Sequence, residues 1–572
     1  MHSHLKKITV QRPVTIRELI KKMEENDPMI SAIPSGIALV VDKKNKIEGI
    51  VTDGDLRKGL SRGVDLDQSV EKIMNSRPFL IVGKQSPRAM LSLIADERKK
   101  ANKDFAYFDK VIIVDEAKRP LKVLSMHDLW QASDVRFKHV GVIGLGYVGL
   151  TLALTLADLG FTVRGYDMNE TVKKSVKKGE PHFFEQGLLK LLSDHLGKRF
   201  TVVEDFKGEN SCDVYFVAVG TPIKDGNKIN VEFLESASAM LGAIVKAGDL
   251  VMLRSTVPIG TTRDIVRPLI ERASGLKAGE EFHLAFAPER TVEGKALEEL
   301  RALPQIIGGI NHASAEIASN IFSYITKSVI LVDSLEEAEM IKLLNNTYRA
   351  MTFTFANEVS MIARRWGLDT KRVIEAANYG YERSRVPLPG PGIGGYCLTK
   401  DPEIFSISAR KKGYKPVLFG QVTVLSASML DSISLDILKF IKKNKLLVGH
   451  VKVGVLGFAF KGVPVTSDVR GSTTYALMNS LKKKGMRYFS GYDPYVKRGD
   501  IELSQAKYRL SGKEAIVDHD IILVMNNNPH FAELDIRLFL EKSKGPIMLV
   551  DCWNLFSRDE IAKLPHVLHY RL

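Results

Sequence analysis

Apolar runs alternate with segments of helical periodicity along most of the chain, which predicts α/β domains. After Lys138, the residues Val140, Val142 and Ile143 form a short apolar run typical of a buried strand, and a helical pattern follows it. Further strand-like runs occur at VYFVAVG (214–220), LAFA (284–287), VGVL (453–456) and IILVM (521–525). Strands that alternate with helices favour sheet domains on both sides of a long helical segment.

One long helix is predicted from about Leu335 to Trp366. Apolar residues recur along it every three or four positions, at Ile341, Leu344, Tyr348, Met351, Phe355, Val359 and Ile362. At about 1.5 Å per residue this stripe covers about 45 Å of another surface, which suits an interface between subunits. Lys342 and Asn346 lie four residues apart and therefore share a helix face beside the stripe. A solvated lysine is the simpler interpretation of Lys342.

The first 135 residues contain an internal repeat. SGIALVVDKKNKIEGIVTDGDL, from Ser35, aligns without a gap with FDKVIIVDEAKRPLKVLSMHDL, from Phe108. Each copy predicts a strand, a turn and a second strand, and then a hydroxyl residue and an acid that open a helix. Two copies of such a unit normally bury their faces on each other.

Composition and charge narrow the class of protein. With 572 residues, 45% apolar and 26% charged, the chain is typical of a globular protein of about four domains. The net charge of +15 suits anionic partners. The basic runs are short, however, and no zinc-finger or aromatic RNA-binding pattern accompanies them, which favours a solvated surface over a nucleic-acid site. The uncharged stretch from Val140 to Ala157 contains four glycines and indicates a strand, a turn and a helix rather than a membrane span.

The cysteines and the N-terminus indicate the compartment. Cys212, Cys397 and Cys552 are too few and too far apart for a disulfide framework. They fit a reducing compartment, and the N-terminus lacks the apolar core of a signal peptide. We therefore expect a cytoplasmic protein.

A dinucleotide-binding pattern opens the second region. GLGYVG (144–149) directly follows a predicted strand, and Asp167 ends the next strand roughly 20 residues further on. Gly144 permits a tight turn, Gly146 lets the backbone approach a pyrophosphate, and Gly149 lets helix and strand pack closely. Asp167 can accept bonds from the ribose hydroxyls and would repel a 2′-phosphate. The pattern therefore predicts NAD rather than NADP.

Two further segments place polar residues just after predicted strands, at the edge where parallel sheets bind ligands. In LRSTVPIGTT (253–262), Ser255 and Thr256 follow the strand, and a helix cap is the simpler interpretation. In FAPERTVEG (286–294), Glu289 and Glu293 follow the strand, and solvated acids are an equally good interpretation.

A fourth segment, PGPGIGGYCLTKDP (389–402), indicates a nucleophile. Its glycines let the backbone come close to another group, and Cys397 follows them. Asp401 and Pro402 are a favourable start for a helix. A thiol just before a helix N-terminus and near Lys400 is expected to have a lowered pKa. We therefore favour a nucleophile over an inert, buried cysteine.

As a set and in order, these motifs resemble those of the UDP-glucose/GDP-mannose dehydrogenase family of nucleotide-sugar 6-dehydrogenases. They are GLGYVG, VGTP, STVPIGTT, PER-x-x-EG, AE-x-x-K-x-x-x-N, GGYCLTKDP and LGFAFK with D-x-R. The resemblance implies an α/β fold with two Rossmann-like domains joined by a central helical dimerisation domain. The implied domains are 136–332 for NAD, 333–432 for dimerisation and 433–572 for the UDP-sugar, after the repeat in 1–135.

The resemblance also implies the chemistry. Two NAD oxidise C6 of the sugar of UDP-glucose or a UDP-N-acetylhexosamine from alcohol to carboxylate, while Cys397 holds a thiohemiacetal and then a thioester. The other implied catalytic residues are Lys342 and Asn346 for oxyanion charge, Thr256 and Asp401 for the hydrolytic water, and Glu289 for general base catalysis. The implied cofactor contacts are Gly144, Gly146, Tyr147, Val148, Gly149, Asp167, Thr221, Glu293 and Arg470. The implied substrate contacts are Gly394, Lys461 and, across a dimer, Arg383.

The N-terminal repeat resembles a pair of CBS modules. In that family the Ser/Thr-x-x-Asp pattern faces a nucleotide cleft, so Thr52, Asp55, Ser125 and Asp128 are the implied contacts of a regulatory adenine nucleotide. Helix caps are one alternative for these residues. A module pair that only bridges subunits is another.

Some residues depart from the family pattern. Tyr396 stands where His or Ser is common, the loop between Lys461 and Asp468 is longer than usual, and Gly471 replaces the usual Glu. The sugar preference and the role of Arg470 therefore stay open. Two rival functions also stay open: a two-electron hydroxyacid dehydrogenase, which needs no cysteine, and a nucleotide-sensing protein that keeps the fold without catalysis.

Overall fold

The computed structural model describes residues 5–24, 36–83, 110–125, 139–224, 228–383, 385–543 and 545–572, with a few positions between 85 and 97. Contacts between Cα atoms divide the chain into two units, Met1–Lys138 and His139–Leu572. The boundaries expected at 332 and 432 stay a prediction. None of the described helices has the length and apolar character that crossing a bilayer requires.

The N-terminal unit repeats one small αβ arrangement. Each of its two three-stranded sheets joins a parallel pair of strands to an antiparallel hairpin. Buried side chains from both copies, such as Leu39 and Ile112, share one core, so the repeated faces bury each other. The strands are Thr9–Gln11, Ile37–Val41, Ile47–Thr52, Leu80–Val82, Lys110–Val114 and Pro120–Ser125, and the described helices are Ile16–Glu24 and Asp53–Ser61.

The first sheet of the second unit has eight strands. Two of them pair antiparallel with each other, His283–Phe286 and Gln305–Gly309. Its order is Val329–Val332, Gln305–Gly309, His283–Phe286, Leu250–Leu253, Val214–Val217, His139–Ile143, Thr162–Tyr166 and Phe200–Val202. The helices are Tyr147–Asp158, Glu170–Lys177, Leu188–His195, Glu232–Gly242, Arg267–Ser274, Ala296–Ala302 and His312–Ile325, with a π-helical turn at Thr262–Val266 and a hairpin of Ile223–Lys224 and Lys228–Ile229. The central strands are parallel, so the turns after them meet at one edge.

Four helices form the central part: Leu335–Arg365, Thr370–Asn378, Tyr396–Lys411 and Leu418–Lys443. The first, which we call the long helix, matches the predicted span. Its apolar stripe is largely exposed in this chain, with Tyr348 70% and Phe355 57% exposed. The opposite face is buried and packs on the third helix, which we call the nucleophile helix. Lys342 lies on this buried face, so the expectation of a solvated lysine is wrong.

The second sheet of this unit has six parallel strands. Its order is Lys507–Tyr508, Tyr488–Tyr492, Lys452–Leu456, Ile521–Val524, Ile547–Asp551 and Val567–Arg571. Its helices are Thr473–Lys483, Arg498–Leu503, Gly512–Ile516, Pro529–Ala532, Ile536–Glu541 and Arg558–Ala562. Two sheet domains thus flank the central helices, which confirms the predicted α/β fold.

The loop after strand Lys452–Leu456 is held in place by a neighbouring strand end. The Asp493 carboxylate accepts N–H bonds from Phe458 at 2.8 Å and from Ala459 at 3.1 Å. The Asn526 amide donates to the Ala459 carbonyl at 3.1 Å. This loop carries Lys461 and Arg470, so its anchoring determines where both cations lie.

Glu339 ties the long helix to the STVPIGTT turn of the first sheet. Its carboxylate, only 1% exposed, accepts bonds from the Gly260 N–H at 2.5 Å, the Thr262 N–H at 2.9 Å and the Thr262 hydroxyl at 2.6 Å. The hydrogen-bond donors of the turn that follows strand Leu250–Leu253 are therefore satisfied by a side chain from the long helix.

Replacing Glu339 by alanine should lower the thermal midpoint of the full chain by several degrees. Each buried polar group left without its acceptor costs about 1–3 kcal/mol. Glu358→Ala removes an exposed glutamate from the same helix and should unfold like the parent protein. Scanning calorimetry of the three proteins makes the comparison, and a parent-like midpoint for Glu339→Ala would contradict the role of this carboxylate.

Candidate active site

The glycine-rich turn has the geometry that a dinucleotide requires. Gly144 has a φ of +92°, and a Cβ there would lie 2.7 Å from the Ala218 carbonyl oxygen. A Cβ at Gly149 would lie 1.7 Å from the carbonyl oxygen of Gly144. Apart from Gly146 itself, its chain neighbours and its own helix backbone, no described residue has an atom within 4 Å of the corresponding position at Gly146. The turn therefore needs two glycines for its own packing and leaves the third open to a ligand.

A cavity of about 550 Å³ begins at this turn, and Asp167 lines it. The Asp167 carboxylate accepts N–H bonds from Leu145 at 2.7 Å and from Asn169 at 2.8 Å, which fixes its orientation. A carboxylate held in this way can accept bonds from ribose hydroxyls. The residues of the cavity therefore fit NAD.

Tyr147, which begins the next helix with Val148, joins the glycine turn to the PERTVEG loop. Its hydroxyl donates to the buried Glu185 carboxylate, and the Gly294 N–H donates to that carboxylate at 2.7 Å. Ala296 N–H donates to the other Glu185 oxygen at 2.9 Å. Burial and the Glu185 charge raise the pKa of Tyr147, so it stays a neutral donor. Sequence reasoning missed Glu185, which lies outside every motif.

Cys397 lies in the first turn of the nucleophile helix, Tyr396–Lys411. The expectation that this helix begins at Asp401 is wrong, because Gly395, with a φ of +92°, already turns the chain into it. The Gly395 carbonyl accepts the Thr399 N–H at 3.3 Å and the Thr399 hydroxyl at 2.8 Å, which closes the first turn. The first turn thus begins before Cys397, and Pro402 lies inside the helix.

The expected lowering of the Cys397 pKa is also wrong. The residue as a whole is exposed, but its thiol is largely desolvated by surrounding protein atoms. Burial and the negative charge of Asp401 raise the pKa of Cys397, and the charges of Lys342 and Lys400 oppose this only in part. The cysteine therefore needs a base to take its proton at neutral pH.

Asp401 is completely buried and binds two partners. Its carboxylate accepts a bond from the Lys400 ammonium at 2.7 Å and from the Asn346 amide at 2.6 Å. These contacts join the nucleophile helix to the long helix. Lys342, one turn before Asn346, thereby comes close enough to influence the thiol electrostatically.

Glu289 is buried, so the interpretation as a solvated acid is wrong. Its carboxylate pairs with the Arg254 guanidinium at 2.6 Å and accepts N–H bonds from Arg290 at 2.7 Å and Thr291 at 2.8 Å. Burial alone would raise the pKa of Glu289, but the Arg254 charge and these bonds hold it below its ordinary value. Such a carboxylate is a weak general base at neutral pH. Sequence reasoning missed Arg254, although a cation that ends the apolar run LVML was a visible signal.

Glu293 has the opposite environment. Burial and the nearby Asp468 raise the pKa of Glu293 to about 7. Its side chain accepts a bond from the Thr466 hydroxyl at 3.2 Å and lies 3.7 Å from the Arg470 guanidinium. Glu293, Arg470 and Gly146 line one cavity of about 330 Å³. The structure thus brings together three residues that sequence reasoning assigned to the cofactor.

Lys461 reaches across the same cleft. Its ammonium donates to the backbone carbonyl of Glu293 at 2.7 Å. Burial lowers the pKa of Lys461 to about 8. The lysine that sequence reasoning assigned to the substrate therefore lies beside the loop assigned to the cofactor.

Tyr396 separates two cations. Its ring centre lies 5.1 Å from the Lys400 ammonium and 5.0 Å from the Arg470 guanidinium. Cations favour the faces of aromatic rings. The Asp468 carboxylate also accepts bonds from the Arg470 guanidinium, the shortest at 2.6 Å, so Tyr396 and Asp468 together hold Arg470 near the nucleophile.

The remaining predicted residues occupy three different settings. The Thr221 hydroxyl donates to the Thr256 carbonyl at 2.5 Å, which joins two strand ends of the first sheet. A Cβ at Gly394 would lie 3.1 Å from the Phe460 carbonyl oxygen, so this loop packs on the second sheet domain. Arg383 is exposed on the chain's surface, and its contact with a substrate across a dimer stays a prediction.

In the N-terminal unit, Thr52 and Asp55 bind each other. The Asp55 carboxylate accepts bonds from the Thr52 N–H at 2.9 Å and hydroxyl at 2.7 Å, and the Thr52 hydroxyl accepts the Asp55 N–H at 3.3 Å. This capping box begins helix Asp53–Ser61. Ser125 ends a strand, and Asp128 lies outside the described residues. Binding of an adenine nucleotide stays a prediction.

Comparison with protein families decides the relationship. The UDP-glucose/GDP-mannose dehydrogenase family matches with its NAD binding domain at residues 138–326, its central domain at 336–425 and its UDP binding domain at 454–558. The chain belongs to the UDP-glucose/GDP-mannose dehydrogenase family. A CBS domain matches residues 3–62. The cofactor of this family member is NAD, and the resemblance seen in its motifs is confirmed.

The relatives are nucleotide-sugar dehydrogenases. A UDP-N-acetyl-D-mannosamine dehydrogenase of Pyrococcus horikoshii is 31% identical over 74% of this chain and 97% of its own. A UDP-glucose 6-dehydrogenase of Haloferax volcanii is 30% identical over 69% of this chain and 93% of its own. A solved UDP-glucose dehydrogenase from Pyrobaculum islandicum aligns with a TM-score of 0.66 and 26% identity, over 77% of this chain and 98% of that structure. This family member is therefore an NAD-dependent oxidoreductase.

Gly395→Ala should impair catalysis. The new methyl group would lie 2.8 Å from the Phe460 ring and impose a left-handed φ on alanine, so the turn before Cys397 must shift. A displacement of about 1 Å can cost about 10²-fold in rate. Gly413→Ala is the matched control, because it has a similar φ of +79° but no neighbour within 4 Å. Steady-state NADH formation measures both, and equal rates would contradict the packing argument.

Proposed function

We propose that this family member oxidises the C6 hydroxyl of a UDP-linked sugar to a carboxylate through a covalent intermediate on Cys397. The observation that carries the proposal is the set of charges around the Cys397 thiol. Lys342, Lys400 and Glu293 all lie close enough to act on it electrostatically, and Glu293 also lines the cavity that includes Gly146. Two NAD molecules, bound one after the other, would supply the hydride acceptors for the two oxidations. The chain itself must therefore retain the half-oxidised sugar between them.

Cys397 retains it through its sulfur. The thiol adds to the aldehyde carbon and forms a C–S bond, its proton passes to a base, and the aldehyde oxygen becomes a hydroxyl. Loss of a hydride from that carbon and a proton from that hydroxyl gives a thioester. Water then adds, the C–S bond breaks, and the carboxylate and the thiol are released. Lys342 stabilises the negative charge that develops on the oxygen in these steps.

The hydrogen-bonded pair of Asn346 and the buried Asp401 supports this chemistry indirectly. Both oxygens of Asp401 already accept hydrogen bonds, so we propose that this carboxylate positions Lys400 and Asn346. Thr256 is left to hold the hydrolytic water. Its backbone is fixed by Thr221, and its side chain is only partly buried.

We assign the general base to Glu293 rather than to Glu289. A base is most effective when its pKa lies near the working pH. The pKa of Glu293 is about 7, whereas pairing with Arg254 holds the pKa of Glu289 low. Glu289 then serves to position the PERTVEG loop from which Glu293 projects.

Among UDP-sugars, a UDP-N-acetylhexosamine is the favoured substrate. The Pyrococcus horikoshii relative supports it. The PGPG loop and the position of Arg383 before Cys397 also resemble those of family members that act on UDP-N-acetylhexosamines. UDP-glucose is the second candidate, favoured by the Haloferax volcanii relative and by Lys400, which resembles the lysine of UDP-glucose enzymes. NADH formation with UDP-N-acetylmannosamine, UDP-N-acetylglucosamine, UDP-glucose and GDP-mannose distinguishes them.

We further propose that two copies associate through the exposed stripe of the long helix. Leu344 is 49% and Ile362 51% exposed, which is unusual for a continuous apolar face. The family resemblance implies that Arg383 of one copy then contacts the substrate bound to the other.

The parent protein should form two NADH for each UDP-sugar consumed. Cys397→Ser should yield little acid and accumulate aldehyde or covalent adduct, because serine cannot supply the thioester. NADH absorbance and mass spectrometry of the protein measure these outcomes. Cys212→Ser, in the core of the first sheet domain, should keep the stoichiometry. One NADH per turnover with a fully active Cys397→Ala would favour the hydroxyacid interpretation.

Glu293 should also produce an acid limb in the pH profile. Below a pH of about 7 its carboxyl group is protonated and cannot accept a proton, so kcat/KM of the parent protein should fall as the pH drops. Glu293→Gln should lose this limb and about 10²–10⁴-fold in rate. Glu289→Gln should keep the limb. The carboxylate that this variant removes has a lowered pKa and does not titrate near pH 7 in the parent protein. Persistence of the limb in Glu293→Gln would assign the base elsewhere.

A further inference from the structure

A second charged cavity lies at the other end of the C-terminal sheet from the candidate active site. Its volume is about 730 Å³, and it is lined by Lys452, Tyr488 and His519, which lie at the amino ends of three neighbouring strands. The active-site loop leaves the carboxyl end of strand Lys452–Leu456. Five residues of strand span about 15 Å, so the two sites are separate.

The charge of this cavity is strongly unbalanced. Its walls carry two carboxylates, Glu514 and Asp518, and five cations, which are Lys452, Arg487, Lys507, Arg509 and Lys513. Within the part of the chain that the structure describes, none of the five cations pairs with a carboxylate. Arg537, in the same domain, binds both Glu541 and Glu560. Concentrated like charges repel each other and attract anions from solution.

One polar atom of the wall has no partner in the described part of the chain. The Nε of Arg509 is buried and makes no hydrogen bond to any described residue. His519 is 7% exposed, and its Nδ1 donates to the Val517 carbonyl at 2.8 Å. Tyr488, 55% exposed, adds an aromatic ring to the same cavity.

We propose that this cavity binds a small polyphosphate compound of nucleotide size. Guanidinium and ammonium groups form charge-assisted bonds with phosphate oxygens. The volume falls in the range of small-molecule sites, about 300–1,000 Å³. The Tyr488 ring offers a face on which a base can stack. Nothing in the reaction proposed above requires this site.

The test is calorimetric titration of tripolyphosphate into the full chain in the presence of saturating NAD and UDP, which fill the cofactor and substrate sites. Lys507→Gln with Lys513→Gln should weaken binding about tenfold or more, because two charge-assisted bonds are lost. Lys483→Gln with Lys542→Gln removes the same charge from exposed positions of this domain outside the cavity and should leave the affinity unchanged.

Two further titrations identify the ligand. Tighter binding of ATP than of tripolyphosphate, lost in Tyr488→Ala, supports a nucleotide, and equal affinities support recognition of phosphate alone. No binding of either compound, equal affinities in the two double variants, or binding of single-stranded RNA without binding of tripolyphosphate would each overturn the proposal.

Discussion

The buried carboxylate of Asp401 organises the candidate active site. It is removed from water, and among the described residues it accepts bonds from the Lys400 ammonium at 2.7 Å and the Asn346 amide at 2.6 Å. A buried charge without its partners costs several kcal/mol, so the two helices that supply these groups are held in one register. In that register, Lys342 on the long helix lies close enough for its charge to act on the thiol of Cys397, at the start of the nucleophile helix.

Burial, more than local charge, sets the protonation of the cleft. It raises the pKa of Cys397, raises that of Glu293 to about 7 and lowers that of Lys461 to about 8. Acids and bases thus move towards their neutral forms, as desolvation requires. Glu289 behaves differently because Arg254 accompanies it. Two carboxylates four residues apart in one loop therefore differ in pKa, and for this reason we propose a structural role for Glu289 and proton transfer for Glu293.

The departures from the family pattern are linked by packing between the glycine loop and the second sheet domain. The Gly395 N–H donates to the Gly471 carbonyl at 3.1 Å, and a Cβ at Gly471 would lie 3.1 Å from the Gly395 carbonyl carbon. A glutamate side chain at Gly471 would not fit this approach without a shift. Tyr396, between Lys400 and Arg470, fills the space beside it. The two departures, Tyr396 and Gly471, therefore lie at one contact between the glycine loop and the second sheet domain.

The sequence alone determined the parts of this protein that depend on local patterns. The glycine turn with its acid at Asp167, the long helix and the N-terminal repeat are each set by spacing within a short segment. The motif set was sufficient to identify the family.

Only the tertiary structure decided the electrostatics. Cys397 has a raised pKa, Lys342 is buried, and Glu293 rather than Glu289 has the pKa of a base. These properties depend on groups distant in sequence, such as Arg254 and Asp468, and on how much water the folded cleft excludes. Desolvation is a property of the surrounding atoms in three dimensions, and for this reason no motif records it.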